Sequence, residues 1–113
     1  MRVYIAGAMT GRFDYKKYFN EAEEFVRSKG HIVLNPSFLP EGLADYYKIN
    51  KAMIDQCDAI YVLLHSENSV GTKKEIEYAK STCKQVDLST GGRNKGKRVG
   101  LEKRSLYLST LFL

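Results

Sequence analysis

Glu75 is the residue whose type and position most clearly suggest chemistry. The segment SVGTKKEIEYAK, from Ser69 to Lys80, follows the apolar run AIYVLL after only four residues, HSEN. A buried strand, a turn through Gly71 and a helix would carry Glu75 near the helix start, where unpaired N–H groups favour negative charge. Glu75 is therefore either a surface acid that complements the helix dipole, or a carboxylate that faces a crevice as a nucleophile or an anchor for sugar hydroxyls.

Other reactive side chains form no recognisable cluster. His65 follows the same apolar run and is either an acid at the rim of a crevice or a solvated loop residue. Cys57 and Cys83 lie far apart, with no CxxC pattern and no clustered histidines, so neither a disulfide framework nor a zinc site is predicted. We expect both cysteines to be small core residues, and we expect no metal and no cofactor.

Length and charge narrow the class of protein. The 113 residues are enough for one domain. The first 83 residues carry 11 basic and 11 acidic side chains, so the whole net charge of +5 lies in residues 84 to 113. An electrically balanced main body argues against general nucleic-acid binding. No apolar run approaches the ~20 residues of a membrane span, and MRVYIAGAMTG lacks the regions of a signal peptide, so a cytoplasmic location without membrane contact is expected.

Strand and helix patterns alternate along the first 88 residues. β-Branched and aromatic runs predict strands at RVYIAG, HIVLNP, AIYVLL and KQVDL. Helical spacing of apolar residues predicts a first helix with Asp14 as its cap and Gly30 at its end, and a third from about Gly71 to Ser81. YYKINKAMIDQC predicts the second helix. Four tyrosines at helical spacing are interpreted as packing residues rather than base-stacking platforms: Tyr15, Tyr18, Tyr46 and Tyr47.

This alternation predicts a small, doubly wound, parallel α/β sheet. The continuous apolar run AIYVLL is typical of a parallel strand that is covered on both faces. In such sheets a ligand binds beyond the carboxyl ends of the strands, where the strand order reverses. If the first and third strands are neighbours there, the loops GAMTG and HSENSVGT form the two lips of a crevice, and Glu75 lies just behind one of them.

Residues 89 to 113 differ in character from this predicted domain, residues 1 to 88. STGGRNKGKRVGLEKR is glycine-rich and basic, which predicts a flexible linker. SLYLSTLFL is apolar to the last residue, and we expect it either to add a strand to its own or a neighbouring sheet, or to pack in a subunit interface.

Four motifs, taken together, carry a family resemblance. VYIAGAMTG, the NP after the second strand, INKAMIDQCDAIYVL and ENSVGTKKEIEYA occur in this order within residues 2 to about 83. They resemble the nucleoside 2-deoxyribosyltransferase superfamily, in particular its small phage and bacterial branch. The resemblance implies a flavodoxin-like, three-layer α/β fold, a homodimer or larger homo-oligomer, and cleavage of the N-glycosidic bond between a nucleobase and a deoxyribose.

The resemblance also implies roles for individual residues. In this superfamily the acid of a small-x-G-x-x-x-E motif is the nucleophile on the anomeric carbon, and Glu75 occupies that position. Tyr4 matches a first-strand tyrosine that lies near the nucleophile. Substrate contacts are implied for a further set of residues: Gly7, Ala8, Met9, Gly11, Asn50, Ser69, Gly71 and Thr72.

Ser69 bears on which substrate the chain would take, and Asn50 bears on how the base would leave. Ser69 stands where the resemblance places an aspartate in transferases of free nucleosides and a serine in nucleotide hydrolases. A carboxylate there would repel a 5′-phosphate, so Ser69 favours nucleoside monophosphates. Asn50 stands eight residues before Asp58, where an aspartate usually helps to protonate the leaving base.

Because an amide cannot deliver a proton, the chemistry would either be slow or recruit another group. Glu67 and Asp55 are the nearby acids, whereas Asp58 is expected to close the second helix or cap the turn into the strand.

The sequence thus predicts hydrolysis or deoxyribosyl transfer at a nucleoside or nucleotide. Alternatively, the chain is a nucleotide or nucleotide-sugar binding module without turnover, which Asn50 would permit. A third class, the phosphoribohydrolases with a PGGxGTxxE signature, shares GTKKE with this chain, but no PGG precedes it here.

Overall fold

The predicted order of strands and helices is confirmed in a computed structural model, which describes residues 1–9, 14–66 and 68–89. A short 3₁₀ helix, Pro36–Phe38, follows the second strand. The strands are β1 (Arg2–Ala6), β2 (Ile32–Leu34), β3 (Ala59–Val62) and β4 (Gln85–Leu88), and the helices are α1 (Tyr15–Ser28), α2 (Tyr46–Asp55) and α3 (Val70–Ser81).

The four strands form one parallel sheet in the order β2-β1-β3-β4. From β1 the chain crosses to β2 on one side, and from β3 it crosses to β4 on the other. The strand order therefore reverses between β1 and β3, which are neighbours as predicted. This is the flavodoxin-like arrangement, and it places the expected ligand crevice beyond Ala6 and Val62.

Helices cover both faces of the sheet and make three layers. Alternate residues of a strand point to opposite faces, so Val3 and Ile5 pack on the side of α1, whereas Tyr4 and Ala6 pack on the side of α2 and α3. The core on the α1 side also contains Phe19, Ala22 and Val26 of α1. The core on the other side contains Ile54 of α2 and Ala79 of α3.

The NP motif joins β2 to the 3₁₀ helix and to α1. The side chain of Asn35 accepts a hydrogen bond from the backbone N–H of Ser37 at 2.9 Å, and its Nδ2 donates to Glu23 Oε1 of α1 at 2.9 Å. Pro36 then occupies the first helical position, where its missing N–H costs nothing. The motif thus turns the chain away from the sheet at the end where the crevice lies.

The ends of α1 and α3 test three predictions. Gly30 ends α1 as predicted, whereas the predicted capping by Asp14 and the predicted burial of Cys83 need correction. Gly30 follows the C-cap residue Lys29 and has φ +88°, as a helix-ending glycine should. Asp14 precedes α1, but its side chain makes no capping hydrogen bond. Cys83 is exposed rather than buried, whereas Cys57 is buried as expected.

The exposure of Cys83 follows from its place just beyond α3. Its φ of +63° is left-handed. The N–H groups of Cys83 and Lys84 donate to the carbonyls of Lys80 and Ala79 at 3.1 and 2.8 Å. This is the Schellman pattern that closes a helix, and it directs the Cys83 side chain outward.

Asp58 joins two strands, rather than capping the turn or closing α2 as predicted. Its carboxylate accepts hydrogen bonds from the backbone N–H of Arg2 at 2.9 Å and from the Arg2 guanidinium at 3.0 and 3.3 Å. These bonds lower the pKa of Asp58 to about 2. The pair ties the start of β1 to the residue that precedes β3.

Within the described residues, no helix is both long and apolar enough to cross a membrane. Beyond residue 89, the predicted linker and apolar tail lie outside the part of the chain that the structure describes.

Phe19 and Phe25 allow a matched test of the α1 core. Phe19 is fully buried between α1 and the sheet, whereas Phe25 on the same helix is 39% exposed. Phe19→Ala should lower the free energy of unfolding by about 3 to 5 kcal/mol, and Phe25→Ala by about 1 kcal/mol. Urea denaturation of both variants measures this difference, and equal losses would contradict the described packing of α1.

Candidate active site

Glu75 lies on the face of α3 that packs against the sheet. Helix α3 begins at Val70, with Ser69 as its N-cap, so Glu75 falls in the second turn rather than the first. It shares the buried face with Thr72 and Ala79, at the spacing of three and four residues expected for one side of a helix. Since only 7% of Glu75 is exposed, the interpretation as a surface acid is wrong.

Two neutral donors hold the Glu75 carboxylate. Tyr4, from the centre of β1, donates its hydroxyl to Glu75 Oε2 at 3.1 Å, and Asn50 of α2 donates Nδ2 to the same oxygen at 2.8 Å. Three elements of the fold therefore meet at one oxygen atom. Both hydrogen bonds that the described residues make to this carboxylate end on Oε2, and Oε1 makes neither of them.

Burial dominates the electrostatics of this group. Removal from water raises the pKa of Glu75 from 4.5 to about 7, although the hydrogen bonds from Asn50 and Tyr4 act in the opposite direction. Burial and the neighbouring carboxylate also raise the pKa of Tyr4, so the phenol keeps its proton and remains a donor. The carboxyl group consequently changes its charge near neutral pH, as is typical of catalytic acids and nucleophiles.

Glu75 borders a pocket of about 550 Å³ at the carboxyl ends of β1 and β3. This volume is within the range of small-molecule sites. Of the residues that the sequence predicts for catalysis or substrate binding, the pocket wall contains Tyr4, Gly7, Met9, Asn50, Ser69, Gly71, Thr72 and Glu75. The tertiary structure thus brings these predicted residues around one opening.

Gly7 lets the loop after β1 lie close against Leu63. A Cβ atom at position 7 would come within 2.7 Å of Leu63 Cδ1 and 2.9 Å of Leu63 Cγ. The next residue, Ala8, donates its N–H to the buried hydroxyl of Ser66 at 3.0 Å. Ala8 therefore holds the loop in place and does not itself line the pocket.

An aromatic wall, formed by Tyr15, Tyr46 and Tyr47, also borders the pocket. Tyr46 and Tyr47 border the pocket, which their interpretation as packing residues did not anticipate. Tyr15 borders the pocket too, but it also packs against the α1 core, with its ring edge-on to Phe19, as predicted. The Tyr46 hydroxyl also donates to the carbonyl of Pro40 and accepts the N–H of Leu43 at 3.2 Å. Tyr46 thereby holds the loop that precedes α2 as well as facing the pocket.

Sequence reasoning missed the whole contribution of the segment after β2. Pro36, Leu39, Glu41 and Gly42 line the pocket together with the aromatic wall. A usable signal was present, because the carboxyl ends of parallel strands meet at one edge of a sheet, so the chain leaving β2 must start at the edge that carries the crevice.

The amino-terminal turn of α3 forms another part of the wall. Ser69 Oγ accepts the N–H of Thr72 at 3.2 Å, and the N–H groups of the first helical residues, Val70 and Gly71, have no acceptor within the helix. Thr72 Oγ1 is buried without a hydrogen-bond partner. Lys74 adds a positive charge to this wall, and its Nζ lies 5.6 Å from the centre of the Tyr47 ring.

Several other candidate residues lie elsewhere. Asp55 accepts the Tyr78 hydroxyl at 2.5 Å and is not part of the pocket wall. His65 is exposed and is likewise outside the described wall. Gly11 and Glu67 fall outside the described residues. In the described ranges, no group of three His, Cys, Asp or Glu side chains is placed to hold a metal ion.

The fold and this opening define a flavodoxin-like α/β protein with a buried carboxylate at its topological switch point. The chain belongs to the family described as "Domain of unknown function (DUF4406)", which matches residues 1–88. No curated protein matches its sequence.

Two solved structures are similar to the chain. The 2-deoxyribosyltransferase of the psychrotolerant bacterium Bacillus psychrosaccharolyticus is 22% identical, with a TM-score of 0.63, over 78% of this chain and 71% of that one. The CMP N-glycosidase BcmB of Clostridium botulinum is 24% identical, with a TM-score of 0.59, over 78% of this chain and 70% of that one. At these identities the similarity establishes the fold.

The raised pKa of Glu75 makes the stability of the fold depend on pH. Between pH 4.5 and about 7 the folded chain keeps a proton that the unfolded chain has released, so the free energy of unfolding should fall as pH rises through this range. The expected loss is about 3 kcal/mol, because one pKa unit corresponds to about 1.4 kcal/mol.

Urea denaturation at pH 5 and pH 8 measures most of this loss. Glu75→Gln should abolish it, since an amide oxygen can still accept from Tyr4 and Asn50 without a charge. Glu77→Gln, at an exposed position of the same helix, is the matched control and should leave the pH dependence intact. An unchanged pH dependence in Glu75→Gln would contradict the assignment of the proton to Glu75.

Proposed function

We propose that the chain cleaves the N-glycosidic bond of nucleoside monophosphates, with Glu75 as the nucleophile. The observation that carries this proposal is the buried carboxylate in the wall of a pocket of about 550 Å³, with both of its hydrogen bonds on Oε2. Oε1 is then the oxygen that attacks. The names of the two similar structures, a 2-deoxyribosyltransferase described for nucleoside synthesis and a CMP N-glycosidase, support a nucleoside or nucleotide as substrate, and the second supports a monophosphate.

The reaction has two displacement steps, as in retaining glycosidases. Glu75 Oε1 attacks the anomeric carbon, the carbon–nitrogen bond breaks, and its electron pair leaves with the base nitrogen. Water, or the nitrogen of a second base, then attacks the anomeric carbon of the glycosyl ester and restores the free carboxylate. Tyr4 and Asn50 hold Oε2 throughout, which fixes the direction of Oε1.

The departing base must gain a proton, and Asn50 cannot supply it. Glu41 is the carboxyl-bearing residue other than Glu75 in the described pocket wall, and it lies on the exposed loop before α2. The proton therefore comes from Glu41 or from water at the open side of the pocket.

The amino-terminal turn of α3 suits a 5′-phosphate. Free N–H groups at a helix start bind anions, and the helix dipole adds to this attraction. Ser69, Thr72 and Lys74 contribute two hydroxyls and a positive charge to the same wall. With no carboxylate at position 69, this turn accepts a dianion without electrostatic repulsion.

A second function is favoured by Asn50 itself. A pocket of this kind without an acid at position 50 can bind nucleotides without cleaving them. Such a binding module would show a raised melting temperature with a nucleotide and would release no base.

Release of free base from deoxynucleoside monophosphates tests the proposal. The wild-type chain should release base, with a rate that rises as pH passes about 7, because the nucleophile must be ionised. Glu75→Gln should reduce the release by at least about 10⁴-fold, whereas Glu77→Gln should retain it. Chromatographic detection of the free base gives the rates. Nucleotide binding without release by the wild type would instead identify the binding module.

The phosphate preference can be tested at Ser69. Ser69→Asp keeps a good N-cap for α3 but introduces a carboxylate at the proposed phosphate position. The preference is the ratio of kcat/KM for a monophosphate to kcat/KM for the matching nucleoside. In Ser69→Asp this ratio should be at least about 10-fold lower than in the wild type. Ser69→Asn, which caps the helix without a charge, is the control. An unchanged preference in Ser69→Asp would place the phosphate elsewhere.

A further inference from the structure

Asn50 presents an unsatisfied hydrogen-bond acceptor beside Glu75. Its Nδ2 donates to Glu75 Oε2 at 2.8 Å, whereas its Oδ1 is buried without a hydrogen-bond partner. In its ionised form, which prevails above a pH of about 7 and which the proposed reaction requires, the Glu75 carboxylate only accepts hydrogen bonds. The reverse orientation would then place the amide oxygen against another acceptor. The contact with Glu75 therefore determines that the free end of this amide is an acceptor. A buried acceptor without a partner costs free energy, which a ligand that donates a hydrogen bond would recover.

The position of Asn50 on α2 indicates which part of a ligand could reach it. Tyr46 and Tyr47 precede it by four and three residues, so the three side chains are neighbours on one helix face. All three border the pocket. Since Lys51 and Lys74 lie over the Tyr47 ring, a flat ring would lie against Tyr46 and turn its edge toward the amide.

We propose that Asn50 is a specificity residue that selects bases with an exocyclic amino group, such as cytosine or adenine. This inference rests on the proposed function, because it takes the flat ring to be the base of a nucleotide. The amino group donates an N–H to Asn50 Oδ1. A base with a carbonyl in the same place, such as uracil or hypoxanthine, sets two acceptors against each other, since the amide N–H is already used by Glu75.

Binding of non-cleavable nucleotides tests this selection whether or not the chain is an enzyme. The probes are the carbocyclic 5′-monophosphate analogues of deoxycytidine and deoxyuridine, and of deoxyadenosine and deoxyinosine. Isothermal titration calorimetry on the full chain gives their dissociation constants. In the pair that binds, the amino analogue should bind at least about 10-fold more tightly than the carbonyl analogue.

Variants separate base selection from a merely structural role. Asn50→Leu has a similar size but no acceptor, and the ratio of the two dissociation constants should fall to about 1. Asn50→Ser, a second variant in case the first fails to fold, should do the same, because its shorter side chain does not reach the base edge. Glu75→Gln still accepts from Asn50 Nδ2 and should keep the preference. If Asn50 had only a structural role, its replacement would weaken the binding of both analogues equally and leave the ratio of their dissociation constants unchanged.

The outcomes distinguish this inference from the proposed function. Equal binding of the two analogues by the wild type, or a preference for the carbonyl analogue, would overturn the role of Asn50 and leave nucleotide binding intact. If the wild type bound none of the four analogues and released base from no nucleotide, the proposed function would fail and this inference with it.

Discussion

The hydrogen bonds to Glu75 Oε2 are the constraint on which the rest of the site depends. A carboxylate buried on the inner face of a helix loses its hydration, and the fold offers two neutral donors in return. One comes from the central strand β1 and one from α2, while the acid itself is on α3. Any change in the packing of these three elements would alter the charge of Glu75, because its pKa reflects the balance between burial and these bonds.

The parallel sheet explains why the opening lies where it does. The strand order reverses between β1 and β3, so the chain leaves these two strands toward opposite faces and uncovers a gap beyond their ends. The loop after β1, the amino-terminal turn of α3 and the segment after β2 all line this gap. Its wall combines hydrogen-bonding and charged groups with aromatic rings, and Lys74 lies beside the Tyr47 ring, which suits a ligand with an anionic end and a flat ring.

Local sequence patterns predicted the elements of this fold well. Helical spacing located α1, α2 and α3, and the apolar run AIYVLL located the central strand β3. They failed where a residue's role depends on distant partners. Asp58 bonds to Arg2, 56 residues away, and joins two strands. The prediction for Cys83 was wrong for a local reason, because the left-handed turn that ends α3 directs its side chain outward. The aromatic wall was missed because a tyrosine at helical spacing can face a core or a pocket with the same pattern.

The sequence by itself determined the order and kind of the elements and the edge of the sheet at which Glu75 would lie. These properties follow from side-chain periodicity and from the turn residues, which act over a few neighbouring positions. The protonation state of Glu75 and the hydrogen bonds to its Oε2 were decided only by the tertiary structure. Tyr4 is 71 residues away and Asn50 is 25 away, and no local pattern encodes their meeting at one oxygen. Burial, which sets the charge of this carboxyl group, exists only once the layers have packed.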